Sequence, residues 1–376
     1  MVEADSFNQK NNMIVRYILV LVLAYTSTLN AQYRPLQSIP DRSTKAMVSQ
    51  RVGITDIEVS YYSPCARGRK IYGERVPYNG GHPFPWRAGA NENTVVRLGH
   101  DVMVQGKHLS AGEYGLHIIP AEDQWTFIFS SSAHLYGSSY GFSAYKETED
   151  VLRVTAVPES IDYKECLQYE FLDRTEDKVS FCISWENTRT CVELEVDLHN
   201  IVVESLKNEL RGTKGLYWES WQLAAQYLLE HDLDLNLALA WIDRSISGDF
   251  DKQPAFANLF TKSQILKKLG RTQEAAHFEQ RALFNGSCVD LYYHGNDSFW
   301  IDHDIDKAKA VFEMGINRDP HYSRNYLGMG WVHIQKGNPK KAIDYLEKFK
   351  ELNTNPSDDR YADSMMEKAK NGETLF

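Results

Sequence analysis

The pattern of this chain changes once, near Asp197, and that change decides what it can fold into. Before it, apolar and polar residues alternate over short runs. IEVSY puts Ile57, Val59 and Tyr61 on one side, and WTFIF does the same with Trp125, Phe127 and Phe129. EYGLHIIP aligns Tyr114, Leu116 and Ile118, with His117 on the opposite face, and Leu167, Tyr169 and Phe171 alternate with Gln168 and Glu170. A period of two marks a half-buried strand. TVVRL, DVMVQ, VLRVTAV, KVSFCISW and CVELEVDL continue the series, and QGK with Gly106 supplies a turn between Val104 and Leu109. Many short strands with no helical period between them predict an antiparallel β-sandwich or barrel over residues 32–200.

After Asp197 the period becomes helical. LYWESWQLAAQYLLE, DLNLALAWIDRSIS, AFANLFTKSQILKKLG and RTQEAAHFEQRALFNG each read as one helix. YSRNYLGMGWVHIQKG and NPKKAIDYLEKFKELN form the clearest pair. Ala275, Ala308 and Ala342 recur at spacings of 33 and 34, and Gly270 and Gly337 each fall five residues before an alanine, at a turn between paired helices. The stretch from Ala308 to Asn353 resembles a tetratricopeptide repeat, whose period this is. Its small residues let helices approach closely, so that stacked neighbours bury one continuous core. Residues 201–376 are therefore expected to be all-α, with three to four tetratricopeptide-like repeats. The slot YYHGNDSFW should be irregular, because Gly295, Asn296 and Asp297 weaken a helix. Asp302, Asp304, Asp306 and Glu313 have the spacing of a calcium loop, but Lys307 stands at the turn position, so they read as the acidic start of a repeat helix. SDDRYADSMMEKAKNG should be a capping helix, with Ser357 at its start and Gly372 at its end.

Lys10 and Arg16 precede an apolar run from Tyr17 to Tyr25, and a small residue, Ala31, offers a cleavage point. This is the plan of a signal peptide over residues 1–31, with Met13 as an alternative start. The run is too short to span a bilayer comfortably. Export to the periplasm or outside the cell is expected, with no membrane span in the mature chain. Five cysteines then meet an oxidising compartment: Cys65, Cys166, Cys182, Cys191 and Cys288. Cys182 and Cys191 flank an expected hairpin and could pair, but five isolated thiols are the favoured reading. A net charge of −10 argues against nucleic acid as a partner, which calls for a basic face.

The run SPCARGRKIYGERVPY, then WRAGANENT, DVMVQGKHLSAGEYGLHIIP, WTFIF, DVLRV and a closing WEN resembles an exported β-domain family known mainly from Bacteroidetes, domain of unknown function 2911. The similarity covers Pro40 to Asp197. It implies a secreted or periplasmic β-rich domain, often with helical repeats attached, and it assigns no catalytic residue. The segments YNGGHPFPW and SSSAHLYGSSYGFSAY depart from the family pattern.

Within WRAGANE, Arg87 and Glu92 stand beside Trp86 and Asn91. An arginine and a glutamate so close could hold a polar substrate and act as acid or base, or could form a bridge that merely holds the loop. His117 is the third catalytic candidate, although a lone strand histidine more often lies at the surface or is already satisfied. His82, His100 and His108 lack ligand spacing, so no metal and no cofactor is expected. Trp86, Asn91, Tyr136, Tyr140 and Tyr145 would edge a groove, since rigid aromatic rings with Ser and Gly suit binding surfaces. The expected function is binding. The repeats would hold a protein or peptide, and the β-domain a polysaccharide, peptide or envelope component. The alternative is a hydrolase with its site at WRAGANE.

Overall fold

The computed structural model describes residues 40–74, 76, 85–134, 145–247 and 254–376. The chain divides into two compact units, one ending at Ile201 and the other running from Val202 to Phe376. The expected signal segment, His82, Tyr136 and Tyr140 lie outside the described residues.

The first unit contains β1 (Thr44–Val52), β2 (Thr55–Ser63), β3 (Thr94–Leu98), β4 (Val102–Val104), β5 (Lys107–Leu109), β6 (Gly112–Ile119), β7 (Trp125–Ser130), β8 (Asp150–Ala156), β9 (Glu159–Leu172) and β10 (Lys178–Glu195). They form two antiparallel sheets, ordered β1-β2-β3-β6-β7-β8 and β5-β4-β10-β9. The expected antiparallel sandwich or barrel is thus present as two sheets, joined where the chain after β2 meets β9: the Ala66 N–H donates to Glu165 O at 2.7 Å and the Leu167 N–H to Pro64 O at 2.9 Å. The alternating residues fill the space between them. Ile57, Val59, Leu116, Ile118, Trp125, Phe127 and Phe129 of the larger sheet, with Leu167, Phe181, Ile183 and Leu194 of the smaller, are buried. Each large side chain so buried contributes roughly 1.5–3 kcal/mol of transfer free energy. The turn read at Gly106 joins β4 to β5, with Gln105 and Gly106 both at positive φ, as a tight two-residue hairpin requires.

Strand β10 doubles back on itself. Ten extended residues would span roughly 30 Å, yet the Cα atoms of Cys182 and Cys191 are 4.1 Å apart and their sulfurs are bonded. The chain reverses at Glu186, whose φ is 51°. Facing pairs confirm the register: the Val196 N–H donates to Asp177 O at 2.8 Å, Lys178 Nζ lies 3.1 Å from Glu195, and Arg189 Nε lies 3.4 Å from Ser184 Oγ. The first arm pairs with β9, as do Thr188 and Arg189 just after the reversal, and the end of the second arm pairs with β4. A second disulfide joins Cys65, just after β2, to Cys166 in β9, stapling the two sheets together. The expectation of five isolated thiols is thus corrected, and only Cys288 is free. Sequence spacing missed the Cys65–Cys166 pair because its members are 101 residues apart and meet only when the sheets stack.

The second unit's helices follow α1 (Leu198–Leu210), which begins in the last residues of the first unit. They are α2 (Trp218–Glu230), α3 (Leu235–Ser247), α4 (Phe256–Lys268), α5 (Thr272–Asn285), α6 (Cys288–Trp300), α7 (Ile305–Arg318), α8 (Ser323–Gln335), α9 (Pro339–Leu352) and α10 (Pro356–Asn371). Eight of them form four hairpin pairs, α2–α3, α4–α5, α6–α7 and α8–α9, with α10 packed on the last. Ala275, Ala308 and Ala342 are buried at the pair contacts, and Gly270 and Gly337 take the left-handed conformation at their turns.

The expected irregularity at YYHGNDSFW is absent. Helix α6 runs unbroken through Gly295, because the missing side chain is what the packing needs. A Cβ at Gly295 would lie 2.6 Å from the Phe312 ring, and one at Gly328 would lie 2.4 Å from it. Phe312 therefore sits in a notch between α6 and α8. Asp304 caps α7 by accepting from the Lys307 N–H at 2.9 Å, and Asp306 pairs with Lys336, so these acids serve the helix. At α10 the cap is Asn355, which accepts from the Ser357 N–H at 3.1 Å, and not Ser357 itself, because Pro356 already starts the helix. Glu279 ties three helices together. Neighbouring His294, with Nε2 3.7 Å away, and Lys307, at 2.7 Å, hold its carboxyl down at about 2.

Closing a loop removes unfolded-state entropy in proportion to the logarithm of its length. Replacing Cys65 and Cys166 by serine should therefore cost about 4–5 kcal/mol in urea unfolding, against about 2–3 kcal/mol for Cys182 and Cys191. Equal losses would contradict this account.

Candidate functional site

The WRAGANE loop is held from several sides. The N–H of Trp86 donates to Ile118 O, and that of Ile118 to Trp86 O, both at 2.8 Å, so the loop pairs with the end of β6 beyond its pairing with β3. The Trp86 ring therefore points inward with Ile118 and stacks on Trp185 of the other sheet, with centroids 6.2 Å apart. The Ala88 carbonyl accepts from the Tyr169 hydroxyl at 2.8 Å and from Thr94 Oγ1 at 3.0 Å. Trp86 Nε1 donates to Gly89 O at 3.2 Å. A Cβ at Gly89 would lie 2.8 Å from Thr94 Oγ1. The small residues of this motif thus exist to let the loop lie flat on the sheet.

The loop's charged residues face outward and part company. Arg87 is half-buried and has no ion pair among the described residues, and burial pushes its guanidinium below the usual range. The register of Trp86 on Ile118 sets it abreast of His117. Glu92 is exposed and lines a different place, a groove of 430 Å³ with Lys45, Met47, Ser60, Tyr62, Arg97 and His134. Arg87 does not line that groove, and the two residues do not bridge. Asn91 reaches back to Ser43 O at 3.5 Å.

The groove lies on the outer face of the larger sheet. Pairing aligns Glu58, Arg97 and Glu113 across β2, β3 and β6. Arg97 bonds both carboxylates at 2.5 Å, and Glu113 also bonds His134 Nε2 at 2.9 Å. Hydrogen bonds from Arg97 and then His134 hold the Glu113 carboxyl below its ordinary value. Lys45 stands over the Tyr62 ring, 5.8 Å from its centroid. A volume of this size suits a small polar ligand or a short segment of a larger one.

The segment Ser131–His134 crosses the same sheet face and walls the groove off from His117. It lies directly on Gly115, where a Cβ would come within 2.6 Å of Ser132 O. Asn93 Nδ2 donates to Ser132 O at 3.3 Å on one side, and Ser132 Oγ donates to Glu149 at 2.6 Å on the other. Beyond this wall His117 is buried, at 2% exposure, with Nδ1 lacking a hydrogen bond. The expectation of a surface histidine is corrected. Its cover is the Tyr145 ring, 5.0 Å away. Tyr145 donates to Asp150 at 2.7 Å, and Arg153 Nε bonds the same carboxylate oxygen at 2.7 Å. Burial, and then the bond to Asp150, push the Tyr145 hydroxyl up to about 12. Sequence reading named His117 and Tyr145 separately and missed Asp150 and Arg153, along with Lys45, Tyr62, Arg97, Glu113 and His134 of the groove. Alternation alone marks Arg97 as outward, but its acidic partners appear only once β3 is paired with β2 and β6.

Burial lowers the His117 pKa against the opposing charge of Asp150 and a backbone hydrogen bond with Gly115. A folded value below the unfolded one means that the unfolded chain takes up the proton first. The contribution is full above about pH 6.5 and is lost as the pH falls toward the folded value. The melting midpoint should therefore drop between about pH 7 and pH 5, and His117→Phe should flatten part of that drop. An unchanged slope in the variant would contradict it. His333, lowered by burial in the second unit, adds to the fall in the wild type.

Among curated proteins, none matches this chain. Several solved structures resemble it in part. MamA shares 19% identity at a TM-score of 0.29, over 40% of this chain and 85% of that one. YrrB, described as a TPR protein with an unusual peptide-binding site, shares 16% at 0.28, over 45% of this chain and 93% of its own. A tetratricopeptide repeat protein from Parabacteroides merdae ATCC 43184 shares 18% at 0.31, over 43% and 61% respectively. Residues 323–356, which are α8, α9 and the turn after them, match a tetratricopeptide repeat model. Residues 43–194, the strands from β1 to β10, match the family described as protein of unknown function (DUF2911).

Proposed function

We propose that this is an exported binding protein whose helical repeats engage a protein or peptide, and whose β-unit groove holds a polar ligand, either a glycan or another envelope component. The observation that carries the reading is the stack of four helix pairs, one of which matches a tetratricopeptide repeat. Stacked pairs of this kind present long continuous surfaces. The two disulfides support export, since such bonds persist in oxidising compartments. The basic and apolar pattern at the N-terminus agrees with it.

The test is to pan the full chain against a displayed library of random peptides, then cross-link the enriched peptide and map the attachment. Enrichment of a consensus attached within residues 202–376 is expected. No consensus, or attachment confined to residues 40–201, would overturn the reading.

A hydrolytic reading keeps one observation, that Glu113 holds His134 in the groove that Glu92 lines. It predicts turnover of some member of a glycan and peptide panel, lost in His134→Ala. A panel that the wild type leaves intact removes it.

A further inference from the structure

Helices α7, α8 and α9 enclose a groove of 430 Å³, lined by Lys309 and Glu313 of α7, Tyr326 and His333 of α8, and Lys341, Asp344, Tyr345 and Lys348 of α9. Its floor is aromatic. The His333 ring stacks on Tyr345 with centroids 5.3 Å apart and planes 10° off parallel, and Tyr326 lies 6.4 Å from Tyr345. His333 is 5% exposed, and its Nδ1 has no hydrogen-bond partner. A buried polar ring that forms the floor of a groove without being satisfied there is not explained by the packing alone.

Three lysines and two acids line the groove, an excess of one positive charge within a chain of net charge −10. Glu313 is already neutralised by Lys309 at 2.8 Å, and Lys348 reaches Glu351, outside the groove, at 2.8 Å. Lys341 makes no ion pair among the described residues, which leaves Asp344 as the lining acid without a lysine bonded to it. The local field is felt at His333. After burial, Lys341, Lys309 and Lys336 all push its imidazole toward the neutral form, and Glu313 opposes them least.

We propose that this groove binds an acidic segment of a partner protein, taking a glutamate side chain with its methylene stem on the Tyr326, His333 and Tyr345 rings and its carboxylate at Lys341 and Lys348. The proposal rests on the reading of the repeats as the partner-binding unit, and it adds the chemistry of the partner. A glutamate fits better than a bare anion because the floor offers apolar ring faces and only the rim offers charge. The groove is built from the second helix of one pair and both helices of the next, so it exists only where two pairs stack.

The test is fluorescence anisotropy on the full chain with a labelled ten-residue peptide alternating glutamate with glycine, beside its glutamine counterpart. The glutamate peptide should bind at least tenfold more tightly than the glutamine peptide, and more weakly as salt rises. Lys341→Glu combined with Lys348→Glu should weaken it at least tenfold, while Lys70→Glu, on the exposed surface of the first unit, should not. Both lysines of the pair are on the surface, so an unchanged melting midpoint shows that the variant is folded. No binding of the glutamate peptide, equal affinity for the two peptides, or equal loss in Lys70→Glu would each overturn the proposal. A library consensus on the repeats that lacks acidic residues would overturn it and leave the binding function standing. Failure to obtain any consensus would remove both.

Discussion

The hydrogen bond from the Tyr169 hydroxyl to the Ala88 carbonyl, 2.8 Å long, crosses the sandwich and fixes where the WRAGANE loop can lie. Tyr169 is buried in β9 of the smaller sheet, and burial drives its hydroxyl well above the ordinary range, so it stays a donor. Its bond holds Ala88 at a φ of 55°, a conformation that costs an alanine about 1 kcal/mol or more. That strain turns the chain so that Trp86 goes inward to Trp185 while Arg87 and Glu92 go outward in different directions. The Cys65–Cys166 bond secures the same two sheets a short distance away. The position of each outward residue thus depends on contacts made on the inner face.

The repeat unit solves a different problem with the same economy of side chains. Helix pairs must come close, and the residue that brings them together is Phe312, seated against Gly295 and Gly328. A similar notch takes Leu346 against Gly330. Each glycine costs roughly 1 kcal/mol of helix propensity, which the close ring packing offsets. Glu279, held between His294 and Lys307, adds a polar clamp where α5, α6 and α7 meet.

Much of this fold is legible in the sequence, and the parts that are not share a cause. The period-two runs of β6 and β7 and the alanine spacing of the repeats are local, and a reader of residues alone finds them. Even the reversal in β10 is written in the gap between KVSFCISW and CVELEVDL. Gly295 misled because its weakness as a helix former is local, whereas its use against Phe312 is not. His117 misled for the same reason. Alternation places it on the outer face, and only the ring of Tyr145 and the crossing of Ser131–His134 over Gly115 make that face an interior. Ser357 is two residues too late, because Asn355 caps the Ser357 N–H from before the proline.

The candidate site was the least legible part, and the structure explains why. The most specific motif, WRAGANE, uses its tryptophan and small residues for geometry, so its distinctiveness reflects a difficult loop more than a reaction. The charged ladder beside it, Glu58, Arg97, Glu113 and His134, carries no local signature, because its members come from β2, β3, β6 and the turn after β7. The groove of the repeats is built the same way, from lysines on α7 and α9 around a histidine on α8. In both units a rigid motif sets the frame, and residues distant in sequence supply the surface that a ligand would meet. A substitution in the frame should therefore act first on stability, and one on the ladder or the lysine rim first on binding.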